Sequence, residues 1–321
     1  MAENSTVSPE KLESGANVPR RRPWLTVLIL LLPFAGLLWV SNWFYQRSRL
    51  FTGSSVTLGE PSLPWGKLIG EEAARELFGS PTDLGFHQHP LTSYQIGLIG
   101  GYSSLRSLSL EEVTDADIRR LSGLDDLESL QLYGSPITDD ACGVLAGLPK
   151  LRSLTITASD PAHQPAQITD AGIAKLADLV YLERLWLQSS QVTDESLPSL
   201  GRLTLLQGLS LSDAQIKGNE LQHLADLPNL LSLTLANCPL DANALTNLAD
   251  APILQGLELS NSPVTDEMLM SLVPISSLHV VLLNGTQVTR EGCLRLLEAR
   301  PDLIISDATG MQVKPNGEES P

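Results

Sequence analysis

Aromatic side chains make up only 5% of the 321 residues, cysteine occurs three times, and basic residues number 21 against 37 acidic ones, a net charge of −16. With so few aromatics, a core must be built from aliphatic side chains. Three cysteines are too few for a disulfide-stapled scaffold. The acidic excess argues against nucleic acid as a partner, because such a surface repels phosphates and anionic headgroups alike. Solubility accounts for the acid without invoking a partner. The charge is unevenly spread. Residues 1–50 hold six Lys and Arg against three Glu, and the remainder holds 15 against 34, a net of −19.

Also missing is a constellation that looks like an active site. His87 and His89 lie near Asp83 but lack the further Cys or Glu spacing of a metal site, and a solvated linker explains them. His163, His223 and His279 are scattered and form no triad with a serine. Gly100-Gly101 is a turn signal, not a phosphate loop. The sequence is therefore read as no enzyme, with no cofactor and no metal. Asn4-Ser5-Thr6 and Asn284-Gly285-Thr286 match the glycosylation sequon, a match common by chance.

What the chain does have begins with an apolar run. No charge occurs between Arg22 and Arg47, and residues 24–40 are interrupted only by Thr26, Pro33 and Gly36. Residues 23–46 as a helix would extend about 36 Å, enough to cross ~30 Å of hydrocarbon. Trp24 stands at one end and Trp39, Trp43, Phe44 and Tyr45 at the other, as in an aromatic interfacial belt. A cleaved signal peptide is the competing reading, but no A-x-A-like site follows Val40. The expectation is a polar tail over 1–22, a transmembrane helix over 23–46 and a stalk over 47–64. Arg20, Arg21 and Arg22 favour a cytoplasmic N-terminus and an extracytoplasmic remainder, although Arg47 and Arg49 flank the other side.

A capping region is expected over 65–104. Within it, residues 67–78 space Ile69, Ala73 and Leu77 by four, which predicts a short amphipathic helix stopped by Gly79 and Pro81. From Leu105 the chain repeats itself. Each unit opens L-x-x-L-x-L, continues through an aliphatic residue with Thr-Asp, as in Ile137-Thr138-Asp139, and ends on aliphatics such as Leu145 and Leu148. Units start at Leu105, Leu127, Leu151, Leu182, Leu206, Leu230, Leu254 and Leu278, and five of the seven spacings are 24. The first is two residues short, and the third is seven too long, with the excess in 157–167. A partial ninth unit, Leu303-Ile304-Ile305, closes the series at 305, and 306–321 is expected to be a disordered tail.

The opening of each unit alternates with period two, which predicts a short strand. Leu197, Leu200 and Leu203 recur at threes, which suits one buried stripe of a short helix. Thr-Asp sits where a side chain can cap that helix. One unit cannot bury enough surface to offset the entropy of ordering it, so units must stack. Strands stack at about 4.8 Å and helices at about 8–10 Å, which bends the stack with its parallel sheet on the concave side.

These motifs resemble the leucine-rich-repeat superfamily, in the 24-residue L-x-x-L-x-L…I-T-D-x-G-L form of cysteine-containing repeats in F-box substrate adaptors and of many bacterial membrane-associated repeat proteins. The likeness covers residues 105–305. Ile216-Lys217-Gly218, Leu240-Asp241-Ala242 and Val288-Thr289-Arg290 depart from it, and no F-box-like segment precedes the repeats. The resemblance implies an α/β solenoid with helices on the convex side and a protein or peptide as partner. A scaffold or recognition subunit is the leading expectation. A self-packing surface protein and the ligand-binding subunit of a signalling complex are the alternatives.

Ladder positions assign further residues. Cys238 takes the ninth place of its unit, where Ser135, Ser190, Ser262 and Thr286 fall in others. Cys142 and Cys293 fall where Ile118, Leu197 and Leu269 fall. All three are expected to be buried and free of disulfides. The second, third and fifth places of each unit point out of the sheet and are mostly Ser, Thr, Gln and Gly. Arg152, Thr155, Glu183, Arg184, Trp186, Gln207 and Ser210 break that monotony, and Trp and Arg are enriched at interfaces. They form the candidate partner-binding site; the alternative is that Trp186 lies flat over neighbouring strands. Leu231, Val280 and Leu282 form a second apolar group, for which cover by the C-terminal tail is the favoured reading.

Overall fold

A computed structural model of the chain describes residues 55–61, 79–86, 91–158, 166–313 and 319–320, all within one unit, Phe51–Pro321. The apolar run 23–46, the helix expected over 67–78 and most of the inserted loop, 159–165, lie outside the described residues. Among the described residues no helix is long and apolar enough to cross a membrane.

Among the described residues, thirteen strands form one sheet in which spatial order equals chain order. Strands β1 (Ser55–Pro61) and β2 (Gly79–Gly85) pair antiparallel. From β2 the sheet is parallel through β3 (Ser107–Glu111), β4 (Ser129–Tyr133), β5 (Ser153–Thr157), β6 (Arg184–Gln188), β7 (Gly208–Ser212), β8 (Ser232–Thr234), β9 (Gly256–Glu258), β10 (Val280–Leu282) and β11 (Ile304–Ser306). Each of β3 to β10 is followed by a short α- or 3₁₀-helical segment packed on the segments of adjacent repeats.

Leucine spacing produces this arrangement directly. Leu108, Leu130, Leu154, Leu185, Leu209, Leu233, Leu257, Val281 and Ile305 lie in one cross-strand register, and none is more than 2% exposed. The first leucines of the eight units are buried as well. At the N-terminal end, Leu84, Phe86, Ile96 and Ile99 extend this core through β2 and the helix Ser93–Ile99. The chain leaves most strands through a left-handed residue at the eighth place, including Asp213, Asn237, Asn261 and Gly285, residue types that tolerate positive φ.

Two boundaries differ from the sequence reading. Residues 55–61, placed in the stalk, form β1, because their backbone finds a partner in β2. The tail is not disordered as far as Val313. Asp307 anchors a turn by accepting from the amides of Thr309 and Met311, Gly310 takes φ +87°, and β12 (Gln312–Val313) pairs antiparallel with β11. Residues 319–320 form β13, paired with β12.

The Thr-Asp pair does more than cap its own helix. Asp115 accepts from the amide and hydroxyl of Thr138 in the next repeat, at 2.9 and 2.8 Å. Asp139 does the same for Thr169, Asp170 for Thr193 and Asp266 for Thr289. Asp194 takes the amides of Lys217 and Gly218. Gly172 and Gly292 are explained by the same ladder, since a Cβ at either would collide with the carboxylate of Asp139 or Asp266. Burial alone would raise the Asp266 carboxyl, but bonds from Thr289 and the nearby Arg295 hold it below the ordinary carboxylate value.

Gly218 and Ala242 occupy the aspartate position in repeats five and six, so the ladder is interrupted there. Strands shorten over the same stretch, from five residues in β7 to three in β8. Asp139→Ala is expected to cost about 1–3 kcal/mol, because it leaves two groups of Thr169 without their acceptor. Ala242→Asp is expected to stabilise by about 0.5–1.5 kcal/mol by giving Thr265 the carboxylate its counterparts have. Urea midpoints measure both, and a lowered midpoint for Ala242→Asp would contradict the inter-repeat role.

Candidate functional site

The parallel sheet brings the candidate residues together on adjacent strands. Arg184 lies between Ser153 of β5 and Gly208 of β7, and Trp186 between Thr155 and Ser210. Side chains two apart on one strand share a face, so Arg184 and Trp186 stand side by side as a ridge. Arg184 is exposed and Trp186 is 38% exposed. Their flanks form a low floor, with Ser153 5% and Thr155 9% exposed and glycine at 208. Thr155, named as an outward contact residue, is therefore part of that floor.

Arg152 and Glu183 stand one strand apart and form an ion pair. Gln207 is exposed and Ser210 half-buried beside it. Thus all seven residues fall on strands β5 to β7 or immediately before them. In the second apolar group, Leu231 is 37% exposed while Val280 and Leu282 are half-buried. The described part of the tail does not cover this group. It runs on as β12 beyond β11, with Ile305 paired to Val313, and β13 follows outside it.

The thiols occupy core positions. Cys142, Cys238 and Cys293 are at most 1% exposed and free. Burial pushes the Cys142 and Cys238 thiols up to about 12 and Cys293 up to about 11. Thiols so placed are poor nucleophiles. Cys238 sits in a polar ladder, its amide donating to Ser262 Oγ and its Sγ lying 3.3 Å from the Leu211 carbonyl. The expected place of Ser190 in that ladder is taken by Ser189, which donates to the Ala166 and Ile168 carbonyls while Ser190 is exposed. Native protein is expected to react slowly with iodoacetamide and, denatured without reductant, to take up label at three cysteines. Fewer than three labelled sites would contradict the reading.

No protein-family model matches the chain, and no curated protein is similar to it in sequence. Solved structures do resemble it. Internalin C2 of Listeria monocytogenes shares 28% identity, with a TM-score of 0.51 over 63% of this chain and 80% of that one. Internalin F of the same bacterium shares 25% identity, with a TM-score of 0.52 over 68% of this chain; the match spans 57% of that protein's length. The chain is a leucine-rich-repeat solenoid. The strand-to-strand leucine register described above is what that architecture requires.

The leucine-rich-repeat pattern also exposes residues that the sequence reading passed over. Val180 and Tyr181 are 58% and 53% exposed, and Leu205 is 39% exposed. Tyr181 and Leu205 hold the place just before a repeat begins, where the half-buried Ile253 and the polar Ser104, Asp126, Lys150, Asn229 and Ser277 stand elsewhere. The place lies outside the outward strand positions, where the period-two pattern carries no signal. Beside Tyr181 lies a recess of about 400 Å³, lined also by Glu128, Pro149, Lys150 and Arg152. A second recess, about 500 Å³, lies at the other ends of the strands against Ser190, Asp213, Asn237 and Asn261.

Proposed function

We propose that this leucine-rich-repeat chain is a membrane-tethered recognition protein that binds another protein through the sheet face at strands β5 to β7. It acts by binding rather than catalysis. In this reading residues 23–46 anchor the chain, the N-terminus is cytoplasmic and the repeats lie outside the cytoplasm. The supporting observation is the Arg184–Trp186 ridge. The core leucine positions are filled without it, and the residues around it are small, so the exposed 38% of Trp186 stands clear for a partner. Large aromatic and arginine side chains raised above such a floor are the types that dominate binding energy at protein interfaces. The uncharged run 23–46 supports the anchor, and Arg20 to Arg22 support the orientation.

Cross-linking in cells followed by mass spectrometry tests the reading. Adducts between the repeat domain and one recurrent protein are expected. Absence of a recurrent protein adduct, or turnover of a substrate in hydrolysis or transfer assays, would contradict it.

A further inference from the structure

We propose that the recess beside Tyr181 and the Arg184 guanidinium form a two-part receptor for an extended protein segment carrying an aromatic side chain and, adjacent to it, a single carboxylate. This rests on the recognition reading above and specifies its partner. The recess, about 400 Å³, falls in the range of ligand pockets, roughly 300–1,000 Å³. Pro149 and the exposed Tyr181 ring give it flat apolar walls of the kind that take an aromatic ring edge-on or offset.

Charge decides what enters. Each charged side chain of the recess already has a partner in the chain: Lys150 with Asp126 at 2.6 Å, Arg152 with Glu183, and Glu128 with Arg106 at 3.9 Å. A charged guest would have to break one of these pairs, whereas an uncharged ring would not. Arg184 is the contrast. It is exposed, and among the described residues it makes no ion pair, while Gly208 leaves the strand beside it bare. Its planar fork matches a carboxylate bidentately. Leu205, 39% exposed, holds in the next repeat the place that Tyr181 holds in its own, so the apolar surface extends beyond one repeat. That reach suits a polypeptide segment rather than a small molecule. A body carrying −19 beyond residue 50 repels a long acidic tract, which limits the carboxylate to one or very few.

The test is selection of a random dodecapeptide phage library on the full chain in lipid nanodiscs, compared with Tyr181→Ala and Arg184→Glu. Both positions are exposed, and melting temperatures within about a degree of the parent would confirm folding. The parent should enrich peptides with an aromatic residue beside Asp or Glu. A synthetic peptide of that consensus should lose about tenfold or more in affinity to Tyr181→Ala. Arg184→Glu should instead select Lys or Arg in place of the acid. Peptides bound equally by all three proteins, or a consensus without the aromatic and acidic pair, would overturn the receptor while leaving recognition by another surface intact. If the nanodisc-borne parent selects nothing above empty nanodiscs, the receptor is also overturned, and the cross-linking experiment decides the recognition reading by itself.

Discussion

Replacing Trp186 with alanine is expected to weaken partner binding about thirtyfold or more while barely changing the melting temperature. Losing a central aromatic anchor costs at least ~2 kcal/mol at typical interfaces, which corresponds to that factor. The fold should tolerate the change because Leu185 and Leu187, not Trp186, point into the core; they are 0% and 2% exposed against 38%. Thr155 and Ser210 flank Trp186 in register and need no bulky neighbour to complete a core. Calorimetry on the purified variant and titration with the cross-linked partner together separate the outcomes. A large fall in melting temperature would make Trp186 a structural cover for the strands. Unchanged affinity with unchanged melting would move the binding surface elsewhere, and the exposed Leu231 on the same side of the sheet would be the next position to test.

The full-length chain is expected to remain wholly with the membrane fraction after high-salt and carbonate washing, with residues 1–22 retained in the mature protein. Eleven Leu, Ile, Val and Phe residues in 24–40 each favour insertion by roughly 0.3–0.6 kcal/mol. Peripheral attachment of so acidic a chain to anionic headgroups would be released by these washes. N-terminal sequencing together with fractionation measures both points. A soluble mature form beginning after Val40 would show a cleaved signal and sink the anchor.

The repeat architecture was legible in the sequence because a solenoid reuses one core pattern. Leucines 24 residues apart become cross-strand neighbours, and the period therefore states the register as well as the fold. Interactions that pass between repeats were harder to read. Thr-Asp looks like a local helix cap, yet Asp139 serves Thr169, a residue 30 positions away across an insertion. Local rules see the amides of one helix and not the hydroxyl of the next. The exchange of Ser189 for Ser190 has a similar origin. Repeat four leaves its strand without a left-handed eighth residue, so a fixed count of nine points to the wrong serine.

The candidate site divides in the same way. Period two identified Arg184 and Trp186 as outward residues, and both are exposed. It does not give the depth of the surface, on which Thr155 is only 9% exposed beside the 38% of Trp186. Nor could it give Arg152's partner, since the Arg152–Glu183 pair depends on which residues a parallel register sets side by side. Tyr181 and Leu205 lie in turns before strands, where no periodicity applies. Comparison of equivalent places in successive units separates them from the polar residues there, and exposure separates them from the half-buried Ile253.

Site-specific photo-cross-linking in cells tests most directly whether the sheet face is the recognition surface. A photoreactive amino acid is placed in separate chains at Trp186 on the sheet and at Gln222, an exposed residue of the helical segment Gln222–Ala225. The Trp186 chain should give one discrete protein adduct on illumination, and the Gln222 chain should give none of that species. Adducts from Gln222 with none from Trp186 would contradict the assignment and place recognition on the helical side.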